Sequence, residues 1–299
     1  LVSVADARDE HQLEKTSSLG FSLGYLAGGL MLALNAAMIL KPDWFGFADT
    51  AEDKARAVQI AFMIAGVWWL VFTLPLLWFG PGRPLGAPVL ATPPLREAIP
   101  AAFSALWQTV KRIANTKSLG LFLLAYWLYI DGVDTIFLMA VDYGGDLGFA
   151  TGDLIAALLI AQIVGFPATM GMYWLSEKLG TVRVLLLAIV IYGGVTIWAY
   201  WLQTVQQFWV MAAVIGLVQG TLQALSRAHF ARQVPPERAG EYFGLYNLLG
   251  KSAAILGPVL VSVMALSTGD KRLAILPVLI LFVAGGWLLV KSERVRSAS

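Results

Sequence analysis

The sequence predicts an all-α, polytopic integral membrane protein, and three observations carry that reading. The 299-residue chain is 58% hydrophobic and only 13% charged, where a soluble domain carries about 25% charge. Its apolar residues gather in eight runs, each close to the ~20 residues that cross a bilayer as a helix. Backbone groups in lipid must pair internally, and these runs are too long for barrel strands, so each one reads as a helix.

The elements follow in order. Residues 1–18 are polar and carry no basic stretch followed by a short apolar core, so the chain does not open on a signal peptide. It opens on Leu1, which predicts a start inside a longer protein. Spans are expected at 19–40 and 57–80. The connection 81–118 is the longest, and Pro81, Pro84, Pro88, Pro93 and Pro94 mark its first part as a linker. In its second part Leu95, Ile99, Phe103, Leu106, Trp107, Val110 and Ile113 recur at helical spacing. That pattern predicts an amphipathic helix on the membrane surface. Six further spans are expected at 119–141, 153–175, 184–202, 208–228, 242–266 and 271–290, before a tail at 291–299. The expected organisation is thus two helices at 19–80, a linker at 81–118 and a six-helix unit at 119–290.

Charge sets the expected orientation. Of the 21 Lys and Arg residues, Lys251 lies inside a span. Lys41, Lys54, Arg56, Lys271 and Arg272 fall in loops 41–56, 142–152, 203–207 and 267–272. All the others fall in 1–18, 81–118, 176–183, 226–241 and 291–299. The basic set faces the cytoplasm by the positive-inside rule, which places both termini there.

Several function classes are excluded. There is no cysteine, so disulfides and thiolate sites are absent. His11 and His229 are the only histidines, and no metal or cofactor is expected. A net charge of +2 says little about partners, and no nucleic acid is expected. No Ser/His pair or HExxH motif suggests an enzyme, and a carboxylate dyad normally draws its members from separate elements. The expected partners are the bilayer, a small solute and protons.

The polar residues inside the spans point to transport. A carboxylate at bilayer depth costs roughly 2.5–3.5 kcal/mol on insertion scales. Asp131 and Asp134 sit three apart in one span and share a helix face. Lys251 lies about ten residues into 242–266, with Asn247 one turn before it and Gly250 beside it. Together the carboxylates would handle a proton or a substrate ammonium, and Lys251 a substrate carboxylate. A buried ion-pair cluster that fixes helix packing is the other reading. Gln219, Gln223 and Arg227 form a second polar stripe, suited to line a cavity or to hydrogen-bond between helices. Gly257–Pro258 is expected to bend its helix.

Two segments carry a family resemblance. Tyr173-Trp-Leu-Ser-Glu177-Lys178-Leu-Gly180-Thr-Val-Arg183 resembles the loop motif of the major facilitator superfamily, with Tyr173 in place of its first Gly and Glu177 in place of its Asp. The stretch from Ser226 through Pro235-Pro236-Glu237-Arg238 and Gly244-Leu-Tyr246-Asn247 to Gly257-Pro258 resembles one branch of that superfamily. That branch is the permeases related to the vacuolar amino-acid effluxer of fungal autophagy, whose bacterial members were called the unknown major facilitator family. Tyr129-Ile-Asp131-Gly-Val-Asp134-Thr-Ile136 and Gly24-Tyr-Leu-Ala-Gly28-Gly29 are similar to it as well. The resemblance implies a twelve-helix fold of which this chain holds helices five to twelve, the first four being absent. It implies proton-linked or facilitated movement of a small solute by alternating access, with amino acids the leading class. It also implies a cytoplasmic latch built from Glu177, Lys178, Gly180 and Arg183 with Arg227, Glu237 and Arg238. A non-transporting receptor or scaffold on the same fold is the competing reading. The expected membrane is a bacterial plasma membrane, or a vacuolar one in a eukaryote.

Overall fold

A computed structural model describes residues 10–48, 50–79 and 94–298. Among these, eight helical stretches are long and apolar enough to cross a membrane: 11–40, 51–75, 117–146, 151–179, 181–199, 205–231, 236–268 and 271–298. Each expected span has its counterpart. The proline-rich start of the linker (Pro81 to Pro93) lies outside the described residues, as does 1–9.

By contact the chain forms two units, one comprising residues 1–26 with 103–299 and the other residues 27–102. One boundary falls inside the first helix, α1 (Glu10–Leu40), and the other at residues 102–103, within the connection 81–118. α1 also begins nine residues before the expected span start. In the smaller unit, α2 (Ala51–Phe79) exposes Phe62, Trp69, Leu70 and Trp78. Such a face suits lipid, since an isolated apolar helix in water would bury it.

The larger unit is built on two long helix pairs. α4 (Lys117–Asp146) packs along α11 (Val278–Ala298), and α5 (Thr151–Leu179) packs along α7 (Val205–Ala231). α6 (Thr181–Ala199) contacts both α7 and α11 and closes the block. Small residues allow the two pairs to approach. A Cβ on Gly216 of α7 would stand 2.5 Å from the Ala161 carbonyl of α5. A Cβ on Gly285 of α11 would stand 3.0 Å from the Tyr129 amide of α4.

The first half of α1 belongs to this block because its polar groups are satisfied there. Ser17 Oγ donates to the Ala224 carbonyl at 2.7 Å, and Ser22 Oγ to the Phe166 carbonyl at 2.5 Å. Tyr25 donates to Gln223 Oε1 at 3.3 Å. The amphipathic helix is present as α3 (Leu95–Asn115). Its Phe103 and Trp107 are exposed, while Ile113 is buried. Thr109 and Arg112 reach Glu241 at 3.2 and 3.4 Å, tying α3 to the start of α8 (Ala239–Ser252).

The expected bend at Gly257–Pro258 is a complete break, and it lies upstream. α8 ends at Ser252 and α9 (Leu256–Thr268) begins at Leu256, with Ala254 between them in the left-handed region at φ 72°. Pro258 therefore sits in the first turn of α9, where it forfeits no hydrogen bond. It starts a helix instead of bending one. The last expected span also divides: a short α10 (Lys271–Ala274), capped by Asp270, precedes α11.

Candidate solute-binding cavity

A cavity of about 300 Å³ opens between α1, α4, α7 and α8. Helical spacing assembles its wall. Tyr126, Ile130 and Asp134 recur every four residues on α4, Gln223 and Arg227 on α7, and Asn247 and Lys251 on α8. Phe21 of α1 completes it. The aromatic side of the wall is continuous: Tyr126 stacks on Tyr246 at 4.2 Å, and Tyr246 on Phe230 at 4.8 Å. A Cβ on Gly250 would come within 2.9 Å of the Tyr126 hydroxyl, so α8 approaches this wall closely.

Three charged side chains line this space: Asp134, Arg227 and Lys251. None has an ion-pair partner within 4.0 Å among the described residues. Arg227 instead stands over the Phe243 ring at 5.2 Å, a cation–π contact. The cavity thus holds both signs of charge, not in direct contact with one another.

Asp131 lies elsewhere. It is fully buried and does not line the cavity. Its carboxylate accepts from three backbone amides at the start of α9: Gly257 at 2.6 Å, Leu256 at 2.9 Å and Ile255 at 3.2 Å. Thr135, one turn on, adds a contact at 3.3 Å. The first amides of a helix lack intrahelical acceptors and carry partial positive charge, so a carboxylate is their natural partner. Here the cap comes from another helix. Gly257 is required at this point, since a Cβ would stand 2.8 Å from Asp131 Oδ1 and would strike Thr135. The pairing of the two aspartates with Lys251 expected from sequence is therefore divided: Asp134 and Lys251 share a cavity, while Asp131 is committed to backbone. Gln219 is buried on α7 and is not part of the cavity wall, whereas Gln223 and Asn247 are.

A second, larger cavity of about 580 Å³ lies at the end of the block where α5 turns into α6. Glu14 of α1 is buried there, paired with Arg232 and accepting from Thr181 and, at 2.8 Å, from Ser176. Glu177 contacts His11 at 2.7 Å. Gly180 makes the turn with φ 90°, a conformation that favours glycine. Of the residues expected to form a latch, Glu177, Gly180 and Arg183 line this cavity. Lys178, Glu237 and Arg238 are exposed and do not line it, and Arg227 lines the first cavity instead. Glu14, Ser176, Thr181 and Arg232 were not singled out from sequence. Their signal was faint: Glu14 lies in a polar segment before the first apolar run, and Arg232 counted only as one of many basic loop residues.

Among the described residues no three His, Asp or Glu side chains gather as a metal ion would need.

The sequence model described as "vacuole effluxer Atg22 like" matches residues 3–298. The chain belongs to this Atg22-like family. It is 37% identical to the uncharacterized MFS-type transporter YxiO of Bacillus subtilis, over 94% of this chain and 64% of that protein. It is 26% identical to autophagy-related protein 22 of Yarrowia lipolytica, over 94% of this chain and 51% of that one. For the protein of the same name in Coccidioides immitis the identity is 27%, over 94% and 49%. The chain thus spans 64% of the length of the bacterial relative and about half of the fungal ones. Within this family it is an integral membrane protein of the major facilitator fold, and its relatives are transporters and effluxers, not enzymes.

Proposed function

We propose that the chain forms part of a secondary transporter that moves a small solute, with amino acids as the substrate class and protons as the coupling ion. The observation that carries this reading is the cavity in which Asp134, Arg227 and Lys251 converge without pairing. Ionisable groups within a membrane are costly and mark substrate or proton pathways. An ammonium and a carboxylate on one small molecule match this wall. Asp134 would take the ammonium, while Lys251 and the Asn247 amide would hold the carboxylate.

Proton coupling follows from the same carboxylate. A proton on Asp134 removes the charge that the ammonium needs, so proton and solute compete for one group. Movement of each then depends on the other. Asp131 serves as a positioning residue. It holds the start of α9 and, through the break, fixes where α8 ends and Lys251 stands. Its oxygens are held by backbone amides, and it makes no ion pair with Lys251.

Major facilitator sites lie between two halves that rock about them, and this chain would supply the wall described above. The cluster of Glu14, Arg232, Glu177 and Arg183 would latch one end. On the charge bias of the loops, that end and both termini face the cytoplasm, in a bacterial plasma membrane or a vacuolar membrane.

The test is uptake and efflux of a labelled amino-acid mixture in proteoliposomes under an imposed pH gradient. It uses this chain, the chain extended upstream to twelve helices, and the extended form carrying Asp134→Asn. Gradient-dependent flux in the extended form, lost in the variant, is expected. Absence of flux in the extended form, or flux indifferent to Asp134→Asn, overturns the reading.

A further inference from the structure

We propose that α8 is a movable wall of the cavity, hinged at Ala254, while α9 stays fixed to α4. The inference concerns how the cavity opens and holds whatever solute enters it.

The break between the two helices carries it. A continuous helix couples its two ends through its backbone hydrogen bonds, and a gap removes that coupling. Residues 253–255 form such a gap. Hinges are a few residues at the ends of elements that absorb a change in φ and ψ. Among the described residues Ala254 is the one non-glycine residue with a positive φ, at 72°. A residue with a Cβ is strained there, so rotation at this point releases part of that strain.

The two helices are held differently. α9 is pinned at its start, because Asp131 accepts from the Ile255, Leu256 and Gly257 amides and its withdrawal would strand all three. α8 rests on α4 and α7 through rings, with Tyr246 stacked on Tyr126 at 4.2 Å and on Phe230 at 4.8 Å. Such rings part without stranding a backbone donor. Near the other end of α8, Glu241 meets Arg112 at 3.4 Å, an exposed pair that holds weakly.

Gly250 sets the direction of movement. A Cβ there would already stand 2.9 Å from the Tyr126 hydroxyl, so α8 has no room to approach α4 further and swings outward. Tyr246, Asn247, Gly250 and Lys251 all line the cavity, so the swing draws Lys251 away from Asp134 and widens the space between them.

The experiment measures distances between pairs of spin labels on the whole chain in lipid nanodiscs, with no solute added. The sequence has no cysteine, so labels attach only where one is introduced. Val190→Cys on α6 is the reference, paired with Leu248→Cys on α8 or with Val263→Cys on α9, all three being exposed positions. The Leu248 pair is expected to show two distances and the Val263 pair one. Ala254→Gly should favour the Leu248 distance of this structure and Ala254→Val the other, with the ratio of the two differing about tenfold between these variants. Asp131→Asn should broaden the Val263 distance. If Ala254→Val does not fold, the ratio in Ala254→Gly against the unaltered chain decides. A Leu248 distribution unmoved by substitution of Ala254 overturns the proposal, and so does a Val263 distance that shifts in step with it.

Discussion

Asp131 and Asp134 stand three residues apart on α4, in one apolar run, and meet different surroundings. Asp131 is enclosed, with its oxygens shared among three amides of α9. Asp134 borders open space beside Lys251 and Arg227, with no ion pair. The difference arises on another helix. α8 and α9 are separated at residues 253–255, which presents a helix N-terminus to Asp131 and leaves the end of α8 facing Asp134. Two identical side chains are thus assigned an enclosed and a cavity-facing position by a break more than a hundred residues away. Glu14 supplies a third case: it too is buried, but its partners are the side chains of Arg232, Ser176 and Thr181.

The comparison can be broken most severely at the side-chain-paired carboxylate. Glu14→Ala breaks a buried ion pair and removes the acceptor that Ser176 and Thr181 use, and unfolding in detergent should register a loss of about 3–5 kcal/mol. Asp131→Ala comes next. It strands three amides at the start of α9, each worth about 1–3 kcal/mol if unsatisfied, with relaxation and water entry offsetting part of that. Asp131→Asn, which keeps one acceptor oxygen, should lie between alanine and the unaltered chain on the same unfolding curve. Gly257→Ala sharpens the point without touching a charge. Its new methyl meets Thr135 and Asp131, and a loss of about 1–3 kcal/mol is expected. Gly244→Ala, with nothing within 4 Å of its Cβ position, should show no such loss. The smallest stability effect belongs to Asp134→Asn. Its unfolding midpoint should shift by less than about 0.5 kcal/mol, the range of substitutions away from packed features, while gradient-driven flux is lost. A large loss of stability at Asp134 would erase the distinction between the two aspartates.

Much of the fold was legible because the responsible patterns are local. Eight apolar runs of spanning length and the stripe of Leu95, Ile99, Phe103 and Trp107 each need only neighbouring residues to be recognised. The same holds for Asn247 and Lys251, which share a helix face by spacing alone, and for the glycine turn at Gly180. What was not legible depends on partners far along the chain. Spacing places Asp131 and Asp134 on one face, but a three-residue step is not a full turn, and packing separates them. Gly257–Pro258 was visible as a perturbation, and only the chain's path shows that proline in a first turn marks a new helix whose amides need an acceptor. Glu14 with Arg232 and Tyr25 with Gln223 are each joined across about two hundred residues. Arg227 was legible in part: its spacing from Gln223 put it on a polar stripe suited to line a cavity, as it does, while the family resemblance pointed to a latch instead.

The cavity around Asp134, Arg227 and Lys251 is the centre of this account, and the absence of cysteine from the sequence offers a direct way to examine it. Phe21→Cys places a single thiol on the cavity wall without removing a charged or amide group. The measurement is its rate of modification by a small charged thiol reagent in proteoliposomes, with and without a mixture of amino acids. The account predicts steady modification that amino acids slow, with the protection abolished by a second substitution, Asp134→Asn. Modification that proceeds at the same rate whatever amino acid is present would contradict it.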